Sequence, residues 1–228
     1  MPSVGHRIRR VLRTEPRRFQ IHGVRFLEDH GGRALIGDDM GLGKTYQTIA
    51  YLALHPEVRP ALIICPASLK FNWQDELLRH GGLRSWVLEG TTCYKLKGSI
   101  WIINYDILQY WSEMLLGRPA ALVIDECHKV KTRMAQRTVT CKALAKKCEH
   151  VIALSGTPIT NRPVEFFPVL QMIDPKRFSS FWNYAFTYCN PKRGFRGRGW
   201  DLRGASNLDQ LHAEVSTVMI RRMKSEVL

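Results

Sequence analysis

Acidic residues are scarce in this sequence: 20 Asp and Glu stand against 34 Lys and Arg across 228 residues, a formal net charge of +14. Long apolar runs are lacking too. None approaches the roughly 18 residues of a membrane-crossing helix. The Arg-rich opening, with Arg7, Arg9, Arg10, Arg13, Arg17 and Arg18, has no apolar core of the secretory kind. The six cysteines, at 65, 93, 127, 141, 148 and 189, contain no C-x-x-C pair. That suits free thiols in a reducing compartment, and Cys127, His128, Cys141 and Cys148 match the spacing of no standard zinc finger. Hydrophobic residues at 45% and charged residues at 24% exclude wholesale disorder and a disulfide-built miniature. The expectation is a soluble intracellular protein, cytoplasmic in a bacterium or virus and nuclear in a eukaryote. Its length suits one large domain or one and a half. The charge surplus favours a polyanionic partner, nucleic acid before anionic membrane, over a merely solubilising surface.

Short apolar runs alternate with amphipathic stretches from Phe19 onward. Strands are expected at 33–37, 61–65, 85–88, 100–103, 121–124 and 151–154, and helices at 44–53, 68–78, 106–116 and 133–147. Continuous apolar strands alternating with helices indicate an α/β fold, a parallel sheet covered by helices on both faces. After Ser155 the pattern turns helical, over 164–173, 178–187 and 208–220, with no further strong strand. Between the last two helices, residues 191–200 are Gly-rich, basic and aromatic. They read as a loop that either grips nucleic acid or is simply solvated. The organisation expected is a basic lead-in over 1–18, an α/β lobe over 19–174 and a helical extension over 175–228.

Three segments carry chemistry. Gly41-Leu42-Gly43-Lys44-Thr45 lies between an expected strand and an expected helix, where backbone N–H groups and a helix N-terminus can cradle phosphate. Lys44 would reach the β- and γ-phosphates and the Thr45 hydroxyl would coordinate Mg²⁺. The strict G-x-x-x-x-G-K-[ST] pattern wants Gly at position 38, where this chain has Asp38 and places Gly37 one residue off. Next, Leu122-Val123-Ile124 ends in Asp125-Glu126. A carboxylate at the end of a parallel strand can hold Mg²⁺, and its neighbour can activate the attacking water. The bland alternative is a helix-capping Asp with a solvated Glu. Finally, Ser155-Gly156-Thr157-Pro158 follows the next strand, by itself only a turn.

Taken in order, Asp38-Asp39-Met40-Gly41-Leu42-Gly43-Lys44-Thr45, Asp125-Glu126-Cys127-His128 and Ser155-Gly156-Thr157-Pro158 resemble the Swi/Snf-like ATPases, double-stranded-DNA translocases built on the superfamily-two helicase core. Gly31-Gly32-Arg33, the doubled Asp38-Asp39 and Gly199-Trp200-Asp201 look closest to the annealing-helicase branch. The resemblance implies a RecA-like phosphate-loop lobe and an enzyme that couples Mg·ATP hydrolysis to movement on double-stranded or forked DNA. It implies that Gln20 reads adenine and that Asp39, Met40 and Leu42 join the nucleotide loop. Pro66, Ser68, Asn104 and Tyr105 would touch DNA phosphates. His128, Ser155, Gly156 and Thr157 would couple nucleotide state to lobe movement. Taken singly, Gln20 could be a polar residue at a helix start, Ser68 an N-cap and His128 a packed histidine.

The resemblance also implies a second RecA-like lobe, in cis or in trans, that supplies arginine fingers. Such a finger contributes on the order of 10³–10⁵ in kcat in other phosphate-loop enzymes. The final segment Met219-Ile220-Arg221-Arg222-Met223-Lys224 resembles the passage from lobe one toward lobe two. The chain alone is therefore expected to bind ATP and hydrolyse it poorly. A non-catalytic ATP- and DNA-binding module that acts with a partner remains the alternative.

Overall fold

The computed structural model describes residues 2–156, 162–194 and 199–227. Helices α1 (Val4–Val11) and α2 (Arg18–Asp29) lead into strand β1 (Arg33–Ile36) and helix α3 (Lys44–Leu54). Then come β2 (Ala61–Cys65), α4 (Lys70–Gly81), β3 (Trp86–Val87), β4 (Ile100–Asn104), α5 (Leu108–Leu115), β5 (Ala121–Ile124), α6 (Gln136–Ala145) and β6 (His150–Leu154). The rest comprises α7 (Pro163–Ile173), α8 (Phe181–Tyr188), the short strands β7 (Lys192–Arg193) and β8 (Trp200–Asp201), α9 (Leu208–Ser216), β9 (Met219–Ile220) and α10 (Lys224–Val227).

Seven strands form one sheet in the order β3-β4-β2-β5-β6-β1-β9, and every pairing is parallel. β2 and β4 are buried at every position because helices cover both faces. Alternate strand residues serve opposite sides. Ile36, Ile63, Ile102, Val123 and Ile152 meet α1–α4, while Leu35, Ile64, Ile103, Leu122 and Ala153 meet α5–α9. All strands run the same way, so the segments after β1, β2, β4, β5 and β6 gather at one edge, where ligands bind in open parallel sheets.

Three features depart from the sequence expectation. The arginine-rich opening is helical at α1, with Ser3 accepting the His6 N–H as N-cap, and its Ile8 and Leu12 are buried in the core. Its arginines mask a simple i, i+4 apolar pair. The expected helix over 208–220 stops at Ser216, and Met219–Ile220 join β1 as an edge strand. Leu35 N–H donates to Val218 O at 2.9 Å and Gly37 N–H to Ile220 O at 2.7 Å, so tertiary pairing overrides the helical pattern. Residues 192–193 and 200–201 pair antiparallel as a small hairpin inside the expected loop, while Phe195–Arg198 lie outside the described residues.

Candidate nucleotide site

The loop between β1 and α3 turns on two glycines with positive φ, Gly41 at +86° and Gly43 at +73°, the latter at the N-cap of α3. A side chain there would be strained, and at Gly43 a Cβ would also stand 2.5 Å from Gln20 Nε2. Gln20 therefore lies against the loop, its Nε2 3.5 Å from Leu42 O and its Oε1 accepting the Arg17 N–H at 2.9 Å. Lys44 opens α3 and folds back over the loop, its Nζ donating to Asp38 O at 2.8 Å and to Asp39 O at 3.4 Å. Burial lowers the Lys44 pKa, and the carboxylates of Glu126, Asp38, Asp125 and Asp39 pull the other way. This half-buried ammonium thus faces the acidic turn after β5. Thr45 is the next residue of the same first turn, and Met40 is largely exposed at the loop's rim.

At the end of β5 the Asp125 N–H donates to Ile64 O at 2.8 Å, which continues the sheet ladder. The Asp125 carboxylate is buried. It accepts the Trp73 indole N–H at 2.8 Å on Oδ2 and the Glu126 N–H at 2.9 Å on Oδ1, and burial raises its pKa. Glu126 itself has φ +50°, an uncommon conformation for a residue other than glycine, and precedes the 3₁₀ turn Cys127–Val130. Its Oε2 lies 3.2 Å from His128 Nδ1, and the same nitrogen is 3.4 Å from Ser155 Oγ. Gly156 closes the group. A Cβ there would come 2.8 Å from Met40 Cγ and 3.6 Å from Lys44 Nζ. Lys44, Asp125, Glu126, His128, Ser155 and Gly156 are thus assembled at one sheet edge. Thr157 lies outside the described residues.

Position 38, where the strict phosphate-loop pattern wants glycine, is a buried anchor. Asp38 accepts from Arg222 at both oxygens, Nε to Oδ1 at 2.9 Å and Nη2 to Oδ2 at 2.5 Å, and from Gln47 Nε2 at 3.0 Å. Arg222 also donates to Gln47 Oε1 at 2.9 Å and to the Phe19 carbonyl. Asp39 adds the backbone part, its N–H donating to Arg222 O at 3.0 Å and its Oδ2 accepting the Lys224 N–H at 3.1 Å. The loop, the start of α2 and the segment after β9 are therefore tied at one point. Gln47 and Arg222 escaped the sequence reading because nothing local marks them.

The segment expected along DNA divides in two. Pro66 and Ser68 lie at or near the surface, with Ser68 inside the 3₁₀ turn Ala67–Leu69 rather than capping α4, whose N-cap is Leu69. Asn104 and Tyr105 are buried. Asn104 Nδ2 donates to Asp106 Oδ2 at 3.0 Å, and the Tyr105 hydroxyl donates to Asp125 O at 2.5 Å. Tyr105 thus braces the acidic turn from below, and its hydroxyl is turned away from a surface ligand.

A parallel sheet with a glycine loop after β1 and an acidic turn after β5 defines a RecA-like nucleotide-binding lobe. The chain belongs to the SNF2-related domain family, whose model matches residues 19–228. It is 36% identical over 236 residues to the mouse (Mus musculus) protein described as DNA annealing helicase and endonuclease ZRANB3, covering 95% of this chain and 22% of that protein. It is 34% identical over 217 residues to the Xenopus laevis SWI/SNF-related matrix-associated actin-dependent regulator of chromatin subfamily A-like protein 1, covering 92% and 22%. Among solved structures, the Sulfolobus solfataricus SWI2/SNF2 ATPase core in complex with dsDNA superposes with a TM-score of 0.77 at 29% identity, over 94% of this chain and 46% of that one. The chain spans about a fifth of the length of these curated relatives. No helix among the described residues is long and apolar enough to cross a membrane.

Proposed function

We propose that this chain is the first RecA-like lobe of a DNA-dependent ATPase that couples Mg·ATP hydrolysis to movement along double-stranded or forked DNA. The observation that carries this reading is the convergence of Lys44, Asp125, Glu126 and Gly156 on one loop that turns on two glycines of positive φ. In the proposed roles, Lys44 neutralises the β- and γ-phosphates, releasing its bonds to the Asp38 and Asp39 carbonyls. Gln20 lies beside the loop, where it would read the adenine edge.

One buried carboxylate, Asp125, and one threonine hydroxyl, Thr45, form a donor set suited to a hard cation that keeps waters and phosphate oxygens. These residues would hold Mg²⁺, which supplies charge neutralisation at the phosphates. Glu126 would take the proton of the attacking water, with His128 and Ser155 linking that carboxylate to the end of β6. Ser155, Gly156 and Thr157 would carry nucleotide state toward the second lobe. Pro66 and Ser68 would face a DNA phosphate, with Asn104 and Tyr105 supporting the segment from within. A second RecA-like lobe, in cis or in trans, would complete hydrolysis. A net charge of +14 supports a polyanionic track, and the named neighbours are DNA enzymes or a DNA complex.

The test is ATP binding and steady-state hydrolysis with and without duplex and forked DNA, for the chain, Lys44→Ala and Glu126→Gln. The chain should bind Mg·ATP and turn it over slowly, and Lys44→Ala should weaken binding at least tenfold. With the second lobe supplied, Glu126→Gln should still bind but lose about 10²–10⁴ of the rate. Turnover that survives Glu126→Gln would sink the assignment of the base.

A further inference from the structure

Four aromatic rings, none belonging to the nucleotide site, stand in a row across α8 and the β7–β8 hairpin. Phe181 and Trp182 have ring centroids 5.3 Å apart, Trp182 and Phe186 6.1 Å, and Phe186 and Trp200 5.2 Å. An arginine caps each end. The Arg133 guanidinium lies 4.1 Å from the Phe181 centroid, and that of Arg193 4.5 Å from the Trp200 centroid. Arg193 and Trp200 are direct cross-strand partners, so the hairpin's pairing sets that second contact. Rings that served only to fasten the hairpin to α8 would be covered. Instead Trp182 is 47%, Phe186 54% and Trp200 37% exposed.

The charged groups set against the rings are the two arginines. In the hairpin itself, among the described residues, Lys192 and Arg193 stand with a single acid, Asp201. That acid is already held by Arg203, Nε to Oδ1 at 2.9 Å and Nη2 to Oδ2 at 2.7 Å. An exposed aromatic stripe with a guanidinium at each end suits a flexible polyanion with aromatic faces more than a protein partner. In a duplex those faces are stacked on one another. In a single strand they are free.

We propose that the Phe181–Trp182–Phe186–Trp200 row, with Arg133 and Arg193 at its ends, binds single-stranded nucleic acid by base stacking, through residues that take no part in the nucleotide site. It goes beyond the ATPase reading and does not require it. The arginines would meet backbone phosphates or stack on terminal bases, and contact would be sequence-tolerant because every base has a π-face.

The experiment is an anisotropy titration of the chain with a labelled oligo-dT of about 20 nucleotides, longer than one site of this kind, beside a labelled duplex of equal length. Trp182→Ala, Phe186→Ala and Trp200→Ala should each weaken oligo-dT binding about 5- to 150-fold, while duplex affinity holds within about twofold. Arg193→Gln leaves α8 untouched and should flatten the salt dependence of oligo-dT binding by about one phosphate contact. Intrinsic tryptophan fluorescence should be quenched by oligo-dT in the parent chain and less so in Trp200→Ala. Circular dichroism melting guards against a folding defect.

Equal losses on duplex and single strand, or no loss on the single strand, would overturn the proposal. So would a homodimer that light scattering detects and Trp182→Ala dissolves, because the row would then belong to a second copy. A chain that binds duplex but not oligo-dT defeats this proposal alone, whereas binding to neither also defeats the translocase reading.

Discussion

Asp38 and Asp125 stand at the two halves of the site, both screened from solvent, yet they are built differently. Asp38 is neutralised from within the chain: the Arg222 guanidinium meets it in a two-pronged pair and Gln47 adds a third donor. Asp125 has only neutral donors, the Trp73 indole and the Glu126 N–H, and burial pushes its pKa up. A buried carboxylate with a permanent cation is a fastening. One without is costly unless something positive arrives, and the nearby positive group, Lys44, is already turned onto the loop carbonyls. The difference separates a residue that holds the loop from one whose charge is left without a permanent cation.

The largest expected effect follows from that contrast. Asp38→Ala leaves Arg222, only 12% exposed at its side chain, without its anion, and removing one partner of such a pair costs about 3–5 kcal/mol. Asp125→Asn loses one acceptor but sheds an uncompensated charge, so its stability should lie within about 1 kcal/mol of the parent. Urea unfolding measures both, and nucleotide titration with Mg²⁺ completes the comparison. Asp125→Asn should fold normally and lose the Mg²⁺-dependent part of ATP binding. Equal destabilisation by the two variants would erase the distinction. Arg222→Lys should recover only part of what Arg222→Ala loses, since an ammonium cannot reproduce the two-pronged geometry.

A smaller effect probes the packing around the fastening. Gly23, on α2, leaves room for Gln47: a Cβ there would stand 1.6 Å from Gln47 Oε1 and 3.0 Å from Arg222 Nη2. Gln47 is fully buried and has no solvent to swing into. Alanine is worth about 1 kcal/mol over glycine inside a helix, but overpacking and the displaced Gln47 hydrogen bonds outweigh it. Gly23→Ala should therefore destabilise by about 1–3 kcal/mol. If Gln47 is the obstacle, Gly23→Ala/Gln47→Ala should lose clearly less than the sum of the single variants. Strict additivity would place the strain elsewhere.

What could be read from the sequence was local. Strands β1, β2, β4, β5 and β6 announce themselves as apolar runs; Asp125 and Gly156 follow closely on strand ends and Lys44 opens the helix after β1, so a parallel sheet brings them to one edge. Arg222 could not be found that way. Its partner Asp38 lies 184 positions earlier, and among neighbours such as Arg221 and Lys224 it looks like one more surface charge. The Asp38 substitution in the glycine pattern was visible but mute, because its meaning resides in that distant guanidinium. β9 was hidden for a related reason: its two residues continue the apolar rhythm of α9, and only β1 decides that they are a strand. Tyr105, which the resemblance sets along a DNA track, packs under Asp125 with its hydroxyl on the Asp125 carbonyl, a contact that nothing local in the sequence marks.

The smallest effect is on thiol chemistry, and it tests whether the surroundings of Asp125 are as closed as its geometry requires. Cys65, at the end of β2, is buried, and its pKa is pushed up to about 12 by burial and then by the Asp125 charge. Cys127, two residues beyond Asp125, is raised further by burial, Glu126 and Asp125. Burial likewise raises Cys141 and Cys148 to about 12 and Cys189 to about 11. The thiolate is the reactive form, so all five should be slow toward a disulfide reagent near pH 8. Cys93 alone is partly exposed. Native labelling should therefore give one fast equivalent, which Cys93→Ser removes, with the remainder appearing on unfolding. A second fast equivalent mapping to Cys65 or Cys127 would mean that water reaches the end of β5. Asp125 would then be a hydrated surface carboxylate, and its contrast with Asp38 would collapse.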